Sequence, residues 1–343
     1  MVRGVCVTVL VLSLTAWAYQ SIWSAGWVYE DRAAQTSALQ SSGSPFTQRS
    51  LTALTWQWTP TPRAAHAVNL ALHVAIGGLI GLFAWRLGLT PLATGAAMTV
   101  WLLHPMTVEL GAYAKARADQ IALVGILVAS IAAAGQWWRG WGLTGIVLGS
   151  LMAVGGKQAG VVVLLMVPLT IWHGRTRQSR PAPIPWWVPA VMALGLVLAG
   201  VQWYGGPRAL VNADGEAGIA MAVDVTWSQW MLAQGGAVWY WTRAIVWPPL
   251  LTPDADVDSI TRLARWSGLG LLGGLSGVAW FTRHRHPALS LVCAWVVCGV
   301  LPRLLIQTPR SYLSAAQFAV AFVGIALAAG LGAQRMKDQW ASS

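Results

Sequence analysis

The stretch GVCVTVLVLSLTAWAYQSI, residues 4–22, carries no charged side chain and is long enough to cross a bilayer, which takes about 20 residues. WVYEDR follows at 27–32 and places the adjacent carboxyl groups of Glu30 and Asp31 just beyond this helix. Ionisable groups near lipid are costly, and they are commonly kept for a function. The stretch therefore predicts a membrane span that ends at either a candidate site or an ordinary solvated loop.

The composition extends this interpretation to the whole chain. Of the 343 residues, 56% are hydrophobic and only 10% are charged, which is typical of a polytopic membrane protein and excludes a soluble domain. The 23 tryptophans fit membrane interfaces, where an indole ring buries its apolar body and keeps its N–H hydrated. The net charge of +11 is spread between the apolar segments without a compact basic domain, so we expect no nucleic-acid partner.

We predict a single all-α domain over residues 1–343, a bundle of about ten transmembrane helices with no soluble domain. With Arg3 inside, the inner segments hold ten of the 22 lysines and arginines and only one acid, Asp338, as the positive-inside rule requires. We therefore expect an integral protein of a bacterial inner membrane with both termini in the cytoplasm. The predicted spans are 4–22, 65–86, 90–103, 119–137, 141–155, 158–173, 185–203, 266–281, 287–304 and 315–333.

Three segments on the predicted outer side are large, namely 24–63, 104–118 and 204–265. We expect interfacial helices at 104–118 and at the tryptophan-rich stretch 229–249, for which a re-entrant helix is the alternative. Inside the spans, glycines four residues apart predict faces on which two helices approach closely. These pairs are Gly77/Gly81, Gly270/Gly274 and Gly273/Gly277.

Acidic and basic side chains collect on the same predicted side. A carboxylate there could take a proton from an acceptor hydroxyl, and an arginine or lysine could hold a phosphate leaving group. The combination suits transfer from a lipid-linked phosphate donor, and ordinary solvation of the loops is the alternative. The acids are Glu30, Asp31, Glu109, Asp119 and those of PDADVD (253–258), and the bases are Arg49, Lys115, Arg117, Lys157, Arg243, Arg303 and Arg310.

A second polar group consists of His66, Asn69 and His73, which share one face of a predicted helix. A polar seam inside the bundle is favoured over a metal site, because the sequence contains no HExxH, CxxC or evenly spaced Cys/His set. It also contains no P-loop and no GxGxxG, so we expect no metal and no cofactor.

Six motifs occur in a recognisable order: WVYEDR (27–32), QRSLTALTW (48–56) with HAVNLALH (66–73), LHPMTVELGAYAKARAD (103–119), VGGKQAGVVVLLMVPL (154–169), LAQGGAVWYWTRAIVWPPLLTPDADV (232–257) and PRSYL (309–313). In this order they resemble the GT-C membrane glycosyltransferases, and most closely the TMTC-like protein O-mannosyltransferases that carry TPR repeats. The likeness covers about residues 20–320 of the chain. The segment at 103–119 is the most specific, since it resembles the family pattern LHP-x-x-x-E-x-x-A-x-x-x-x-RAD.

The resemblance implies transfer of a sugar, typically mannose, from a polyprenyl-phosphate carrier to an acceptor hydroxyl outside the cytoplasm. It implies that Asp31 is the general base and that Glu30 supports it. The expected partners are the polyprenyl-phosphate-linked sugar, membrane lipids and an acceptor protein or glycan. The substrate-binding candidates in the matching segments are Arg49, His104, Glu109, Arg117, Asp119, Lys157, Arg243 and Arg310, of which Lys157 and Arg310 would face the carrier phosphate.

The chain departs from the family pattern at several positions. Lys157-Gln158 stands for a Lys-Glu pair, Pro309-Arg310 for a Glu-Arg pair, and no TPR region follows the last predicted span. A catalytically silent docking subunit that binds other membrane subunits is therefore the alternative to an enzyme. A transporter is a third hypothesis, disfavoured because no acid lies in the middle of a predicted span.

Overall fold

The chain is all-α, as predicted, in the part that the computed structural model describes: residues 2–27, 31–32, 35–36, 50–135, 141–176, 226–250, 260–305 and 315–342. That part contains twelve α-helices, joined in places by short 3-10 turns, and no strand. The helices are α1 (Val2–Ala18), α2 (Ser50–Gln57), α3 (Pro62–Arg86), α4 (Pro91–Leu103), α5 (Val108–Ala112), α6 (Arg117–Ala134), α7 (Trp141–Gly156), α8 (Val163–Thr176), α9 (Trp227–Val246), α10 (Arg262–Thr282), α11 (Pro287–Leu305) and α12 (Ala319–Ser342).

Threonine caps and prolines set the beginnings of several helices. The Thr61 hydroxyl accepts a hydrogen bond from the Ala64 N–H, and Pro62 occupies the first turn of α3, where a missing N–H costs nothing. Thr226 and Gln229 form a complete capping box at the beginning of α9. These local signals explain why α3 begins three residues before the predicted span 65–86.

Four helical segments are long and apolar enough to cross a membrane, by length and composition: Pro62–Arg86, Ala114–Ala134, Pro287–Leu304 and Ala319–Trp340. They are compatible with a membrane protein. Shorter apolar helices coincide with the predicted spans at 4–22, 90–103, 141–155 and 158–173, and α10 coincides with the span at 266–281. The span at 185–203 lies outside the described residues, so the complete ten-span bundle stays a prediction.

Several helix ends meet at one end of the bundle, which we call the cluster end. The hydroxyl of Tyr19, just after α1, lies 3.2 Å from Nε2 of His73 in α3. The Thr52 hydroxyl of α2 donates to the carbonyl oxygen of Gly156, the last residue of α7, at 3.0 Å. The end of α1, the first half of α3 and the end of α7 therefore lie on the same side.

The opposite end of the bundle joins the other helix termini. The N–H of Thr90, just before α4, donates to Oε1 of Gln334 in α12 at 3.1 Å. Nδ1 of His173, near the end of α8, lies 3.1 Å from the carbonyl oxygen of Pro287, the first residue of α11. The beginnings of α4 and α11 and the ends of α8 and α12 therefore take part in contacts between helix termini at this end.

Residues 104–118 do not form the predicted interfacial helix. They form a 3-10 turn at Pro105–Thr107, the five-residue α5 and a second 3-10 turn at Ala114–Ala116. Met106, Thr107, Leu110 and Ala114 are buried, whereas Val108 and Lys115 are exposed, so one side of this segment packs on the bundle. Pro105 limits helix formation here because its ring fixes φ and its nitrogen cannot donate.

One of the three predicted glycine faces makes its close contact within the described part of the chain. Gly77 and Gly81 pack closely on side chains of α4, as expected, since a Cβ added there would lie 2.7 Å from Leu102 and 2.5 Å from Met98. The contact predicted for the glycines of α10 stays a prediction, because the predicted span at 185–203 lies outside the described residues. Among the described residues, no heavy atom lies within 4 Å of a Cβ added to Gly270, Gly273, Gly274 or Gly277.

Helices α6 and α7 instead make a backbone-to-backbone contact that was not predicted. A Cβ added to Gly149 would lie 2.6 Å from the Ala129 nitrogen and 2.7 Å from the Gly125 oxygen. Small residues on both helices allow this approach. The packing continues to the beginning of α6 and the end of α7, where a Cβ added to Gly156 would lie 2.7 Å from the Ala122 nitrogen.

Two glycine substitutions with opposite expected effects on the free energy of unfolding test this packing. Gly149→Ala should destabilise the protein by about 1–3 kcal/mol, because its methyl group must push two backbones apart. Gly273→Ala should stabilise it by roughly 0.5–1 kcal/mol, because alanine favours the helix and meets no neighbour among the described residues. Thermal unfolding of the purified protein in detergent measures both, and a stable Gly149→Ala variant would contradict the close contact.

Candidate functional site

Asp31 is a fully buried carboxylate at the cluster end of the bundle. Its Oδ1 accepts a hydrogen bond from the backbone N–H of Lys115 at 2.8 Å. It also lies close enough to the Arg117 guanidinium for the two charges to attract each other. These two interactions compensate the hydration that a carboxylate loses on burial.

Arg117 joins three helices through a single guanidinium group. It lies at the beginning of α6, is fully buried, and stacks over the Trp56 ring of α2 with 4.1 Å between Cζ and the ring centroid. Nε donates to Oδ1 of Asn69 at 3.0 Å, Nη1 to the Thr59 hydroxyl at 2.8 Å, and Nη2 to the carbonyl oxygen of Ala65 at 3.0 Å. Protein groups therefore enclose the guanidinium on its face and along its edge.

The polar seam predicted on α3 is present. His66, Asn69 and His73 are all fully buried. Nδ2 of Asn69 donates to the carbonyl oxygen of Tyr113 at 2.5 Å, and Nε2 of His66 lies 2.9 Å from the carbonyl oxygen of Gly26. The seam therefore ties α3 to the segments that follow α1 and α5. Within the described ranges, no group of three or more His, Cys, Asp or Glu side chains could hold a metal ion.

Lys157 and Asp119 form an ion pair beside Asp31 and Arg117. Nζ of Lys157 lies 2.6 Å from Oδ1 of Asp119, and the two side chains keep 21% and 14% of their surface exposed. The exposed Lys115 ammonium group interacts electrostatically with both. Lys157 follows directly after α7, so the packing of α6 on α7 brings this lysine to Asp119.

We call these five residues the charged cluster: Asp31, Lys115, Arg117, Asp119 and Lys157. The cluster contains three cations and two carboxylates, and its positive excess suits an anionic ligand. Two parts of the cluster differ in their exposure to solvent. Asp31 and Arg117 are buried, whereas Lys115, Lys157 and Asp119 reach the surface.

The other predicted site residues have different positions. Glu109 lies in the first turn of α5, where a carboxylate interacts favourably with the helix dipole. Arg243 is exposed in the last turn of α9, where a cation interacts favourably with the helix dipole. Glu30, Arg49 and Arg310 lie outside the described residues.

His104 links the segment after α4 to α9. Its Nδ1 accepts a hydrogen bond from the N–H of Met106 at 3.1 Å, so the hydrogen of the neutral ring is on Nε2. Nε2 donates to the carbonyl oxygen of Ile245 at 3.1 Å. Burial lowers the pKa of His104 below its ordinary value, and the bond to Ile245 opposes that shift. His104 therefore holds two segments together, and no ligand is needed to explain its contacts.

The structure adds site residues that were not singled out from the sequence. Trp56, Thr55 and Thr59 surround the Arg117 guanidinium, with Nη1 of Arg117 at 3.4 Å from the Thr55 hydroxyl. The two threonines are four residues apart, so they lie on one side of the chain at the end of α2. The spacing of the two threonines beside Trp56 was the available signal in the sequence, but it did not indicate that their partner is Arg117.

Comparison with protein-family models, curated proteins and solved structures finds no match for this chain. The likeness to GT-C glycosyltransferases therefore rests on the motifs quoted above and stays a prediction.

Arg117→Lys tests whether the guanidinium organises the site. Lysine keeps the charge but cannot reach Asn69, Thr59 and Ala65 together, so the free energy of unfolding should fall by about 3 kcal/mol or more. Arg63→Lys is the matched control, because Arg63 is exposed at the beginning of α3. Equal unfolding temperatures for the two variants in detergent would contradict the assignment.

Acid should weaken the His104 contact. A histidine with a lowered pKa stabilises the fold while neutral, so its contribution is present above the ordinary value of about 6.5 and is lost as the pH falls toward the lowered pKa. The protonated ring would place an N–H opposite the Met106 N–H. We expect the unfolding temperature of the wild type to fall between pH 8 and pH 5.

His104→Asn is the control for this pH dependence. Asparagine Oδ1 can accept the Met106 N–H as Nδ1 does, but the side chain does not titrate. The fall in unfolding temperature should be smaller in the variant. Parallel curves for the two proteins would show that other groups cause the acid sensitivity.

Proposed function

We propose that this protein transfers a sugar from a polyprenyl-phosphate carrier to an acceptor hydroxyl on the non-cytoplasmic face of a bacterial inner membrane, with both termini in the cytoplasm. The observation that carries the proposal is a buried carboxylate, Asp31, beside the partly exposed cations of the charged cluster. Four helices with the length and composition of membrane spans support a lipid-linked substrate.

In the proposed reaction, Asp31 acts as the general base. It takes the proton of the acceptor hydroxyl while that oxygen attacks the anomeric carbon of the sugar. The bond between this carbon and the phosphate oxygen breaks, and polyprenyl phosphate leaves with the electron pair. The sugar is a mannose in the simplest version of the proposal, because the motifs resemble mannosyltransferases most closely.

Lys115 and Lys157 are the groups we assign to the carrier phosphate. Both reach the surface at the open edge of the cluster, and a charge-assisted contact strengthens as negative charge develops on the leaving group. Asp119 orients Lys157 in the resting state through the 2.6 Å ion pair. In this assignment Asp119 supplies the carboxylate that the Lys157-Gln158 sequence lacks relative to the family pattern.

Arg117 receives a positioning role, although the sequence placed it among the substrate-binding residues. Its Nε, Nη1 and Nη2 all donate to protein groups, and its face is covered by Trp56. Arg117 therefore fixes the protein groups that line this side of the site, and it places a positive charge near Asp31. A phosphate contact by Arg117 would require these bonds to break.

One observation favours a second function, a catalytically silent docking subunit. Asp31 is fully buried, and a carboxylate enclosed between a backbone N–H and an arginine is also a common structural arrangement. In that case the charged cluster only stabilises the scaffold, and other membrane subunits bind elsewhere on its surface.

Asp31→Asn separates the two functions. Sugar transfer from a short-chain polyprenyl-phosphate mannose is measured in proteoliposomes by mass spectrometry of the acceptor glycan. We expect a loss of about 100-fold or more in the variant, because general-base catalysis supplies a factor of this size. Asp338→Asn makes the same chemical change at an exposed carboxylate of α12 and should keep full activity.

The same experiment can reject the enzyme. Full activity of a folded Asp31→Asn variant would remove Asp31 from catalysis. Absence of transfer by the wild type with a panel of polyprenyl-phosphate sugars, together with stoichiometric co-purification of other membrane proteins, would favour the docking subunit.

A further inference from the structure

The chain around Asp31 is fastened to the bundle on both sides of this residue. Upstream, Nε2 of His66 donates to the carbonyl oxygen of Gly26 at 2.9 Å. Downstream, Nε2 of Gln35 donates to the carbonyl oxygen of Thr59 at 3.3 Å. Gly26 and Gln35 lie five and four residues from Asp31, and five residues span at most about 18 Å when fully extended. The two bonds therefore limit how far the Asp31 carboxylate can move.

Both bonds start from the groups that hold the Arg117 guanidinium. Ala65 directly precedes His66, and its carbonyl oxygen accepts a hydrogen bond from Nη2 of Arg117 at 3.0 Å. The hydroxyl of Thr59 accepts one from Nη1 of Arg117 at 2.8 Å. The end of α2 and the beginning of α3 therefore position both the arginine and the chain on either side of Asp31.

A contribution to stability does not by itself explain His66. The ring is fully buried, and because a carbonyl oxygen can only accept, Nε2 carries the hydrogen. Nδ1 is left buried without a hydrogen-bond partner in the described part of the structure, which costs free energy. Gly26 is exposed, so water can hydrate its carbonyl oxygen when the ring is absent. An apolar side chain of similar volume would therefore stabilise the fold about as well, and what the histidine adds is the bond to Gly26.

We propose that His66 is a positioning residue for Asp31 and that it acts by fixing the carbonyl group of Gly26. This inference rests on the proposed sugar transfer, in which Asp31 is the general base. A base must lie within hydrogen-bond reach of the proton that it takes, and a displacement of about 1 Å can cost a large factor in rate. In this assignment His66 touches neither the sugar nor the acceptor.

The first measurement does not depend on catalysis. The backbone N–H of Lys115 donates to Oδ1 of Asp31 at 2.8 Å, so hydrogen exchange at this amide reports whether the carboxylate is in place. Exchange is followed by mass spectrometry, with fragmentation that resolves single amides, on the purified full-length protein in detergent. We expect this amide to exchange about tenfold faster or more in His66→Leu than in the wild type, because an unfastened chain lets Asp31 leave it.

Three further variants connect the effect to the donor at position 66. His66→Gln places an amide nitrogen near the position of Nε2 and should restore the protection of the Lys115 amide. His66→Phe keeps a ring without a donor, and it replaces His66→Leu if that variant does not fold. His173→Leu is the matched control, because His173 is also buried and its Nδ1 lies 3.1 Å from a backbone carbonyl oxygen, that of Pro287, at the opposite end of the bundle. This control should leave the Lys115 amide as protected as in the wild type.

The second measurement is the rate of sugar transfer in proteoliposomes. His66→Leu should lower kcat by about tenfold or more, because Asp31 is then less often in position to take the proton. KM for the polyprenyl-phosphate mannose should change by less than about twofold, since the lysines assigned to the carrier phosphate are unchanged. His66→Gln should recover most of kcat, which a purely structural loss would not allow, and His173→Leu should keep it.

Two results would overturn the proposal. One is unchanged exchange of the Lys115 amide in a folded His66→Leu or His66→Phe variant. The other is equally fast exchange in His66→Leu and a folded His66→Gln variant, which would show that the donor is not the cause. If the exchange results are as expected but the wild type transfers no sugar, the fastening of Asp31 by His66 is supported and only the proposed function is overturned.

Discussion

The Arg117 guanidinium is the interaction on which the cluster end of the bundle depends. It bonds a side chain of α3, a backbone carbonyl of α3 and a hydroxyl just after α2, and it stacks on Trp56. A buried cation with this many partners is costly to move, because each displaced group would be left unsatisfied in a low dielectric. Asp31 is placed opposite a charge that is itself fixed.

Helix packing brings the second half of the cluster to the first. Gly125 and Gly149 allow α6 and α7 to touch along their backbones, so the residue after α7 reaches the first turn of α6. Lys157 then meets Asp119 at 2.6 Å. The glycine contact lies in the middle of the two helices and the ion pair lies at their ends. A larger side chain at the glycine contact would therefore also change the geometry of the ion pair.

The sequence predicted well what depends on composition and local signals. The all-α class followed from apolar length. The beginning of α3 was predicted three residues too late, because the cap at Thr61 and Pro62 was not considered. The seam of His66, Asn69 and His73 followed from helical spacing. The partner of each charged group could not be predicted, because any of several lysines and arginines could have paired with Asp31 or Asp119. The glycines of α10 have no close neighbour among the described residues. Their spacing permits a close helix contact, but only the three-dimensional order of helices decides whether a neighbour is there.

Aromatic rings connect the polar seam on α3 to Arg303 in the last turn of α11. His73 of the seam lies 5.6 Å from the Trp101 ring, and Trp101 lies 6.1 Å from Phe322 near the beginning of α12. One turn earlier, Phe318 lies 4.8 Å from Trp241, over which Arg303 stacks. Rings packed in this way resist compression and exclude water, so each end of this series of rings keeps a low dielectric around its cation. The Arg117 guanidinium is therefore fixed and poorly hydrated, and its attraction to Asp31 is stronger than it would be at an exposed position.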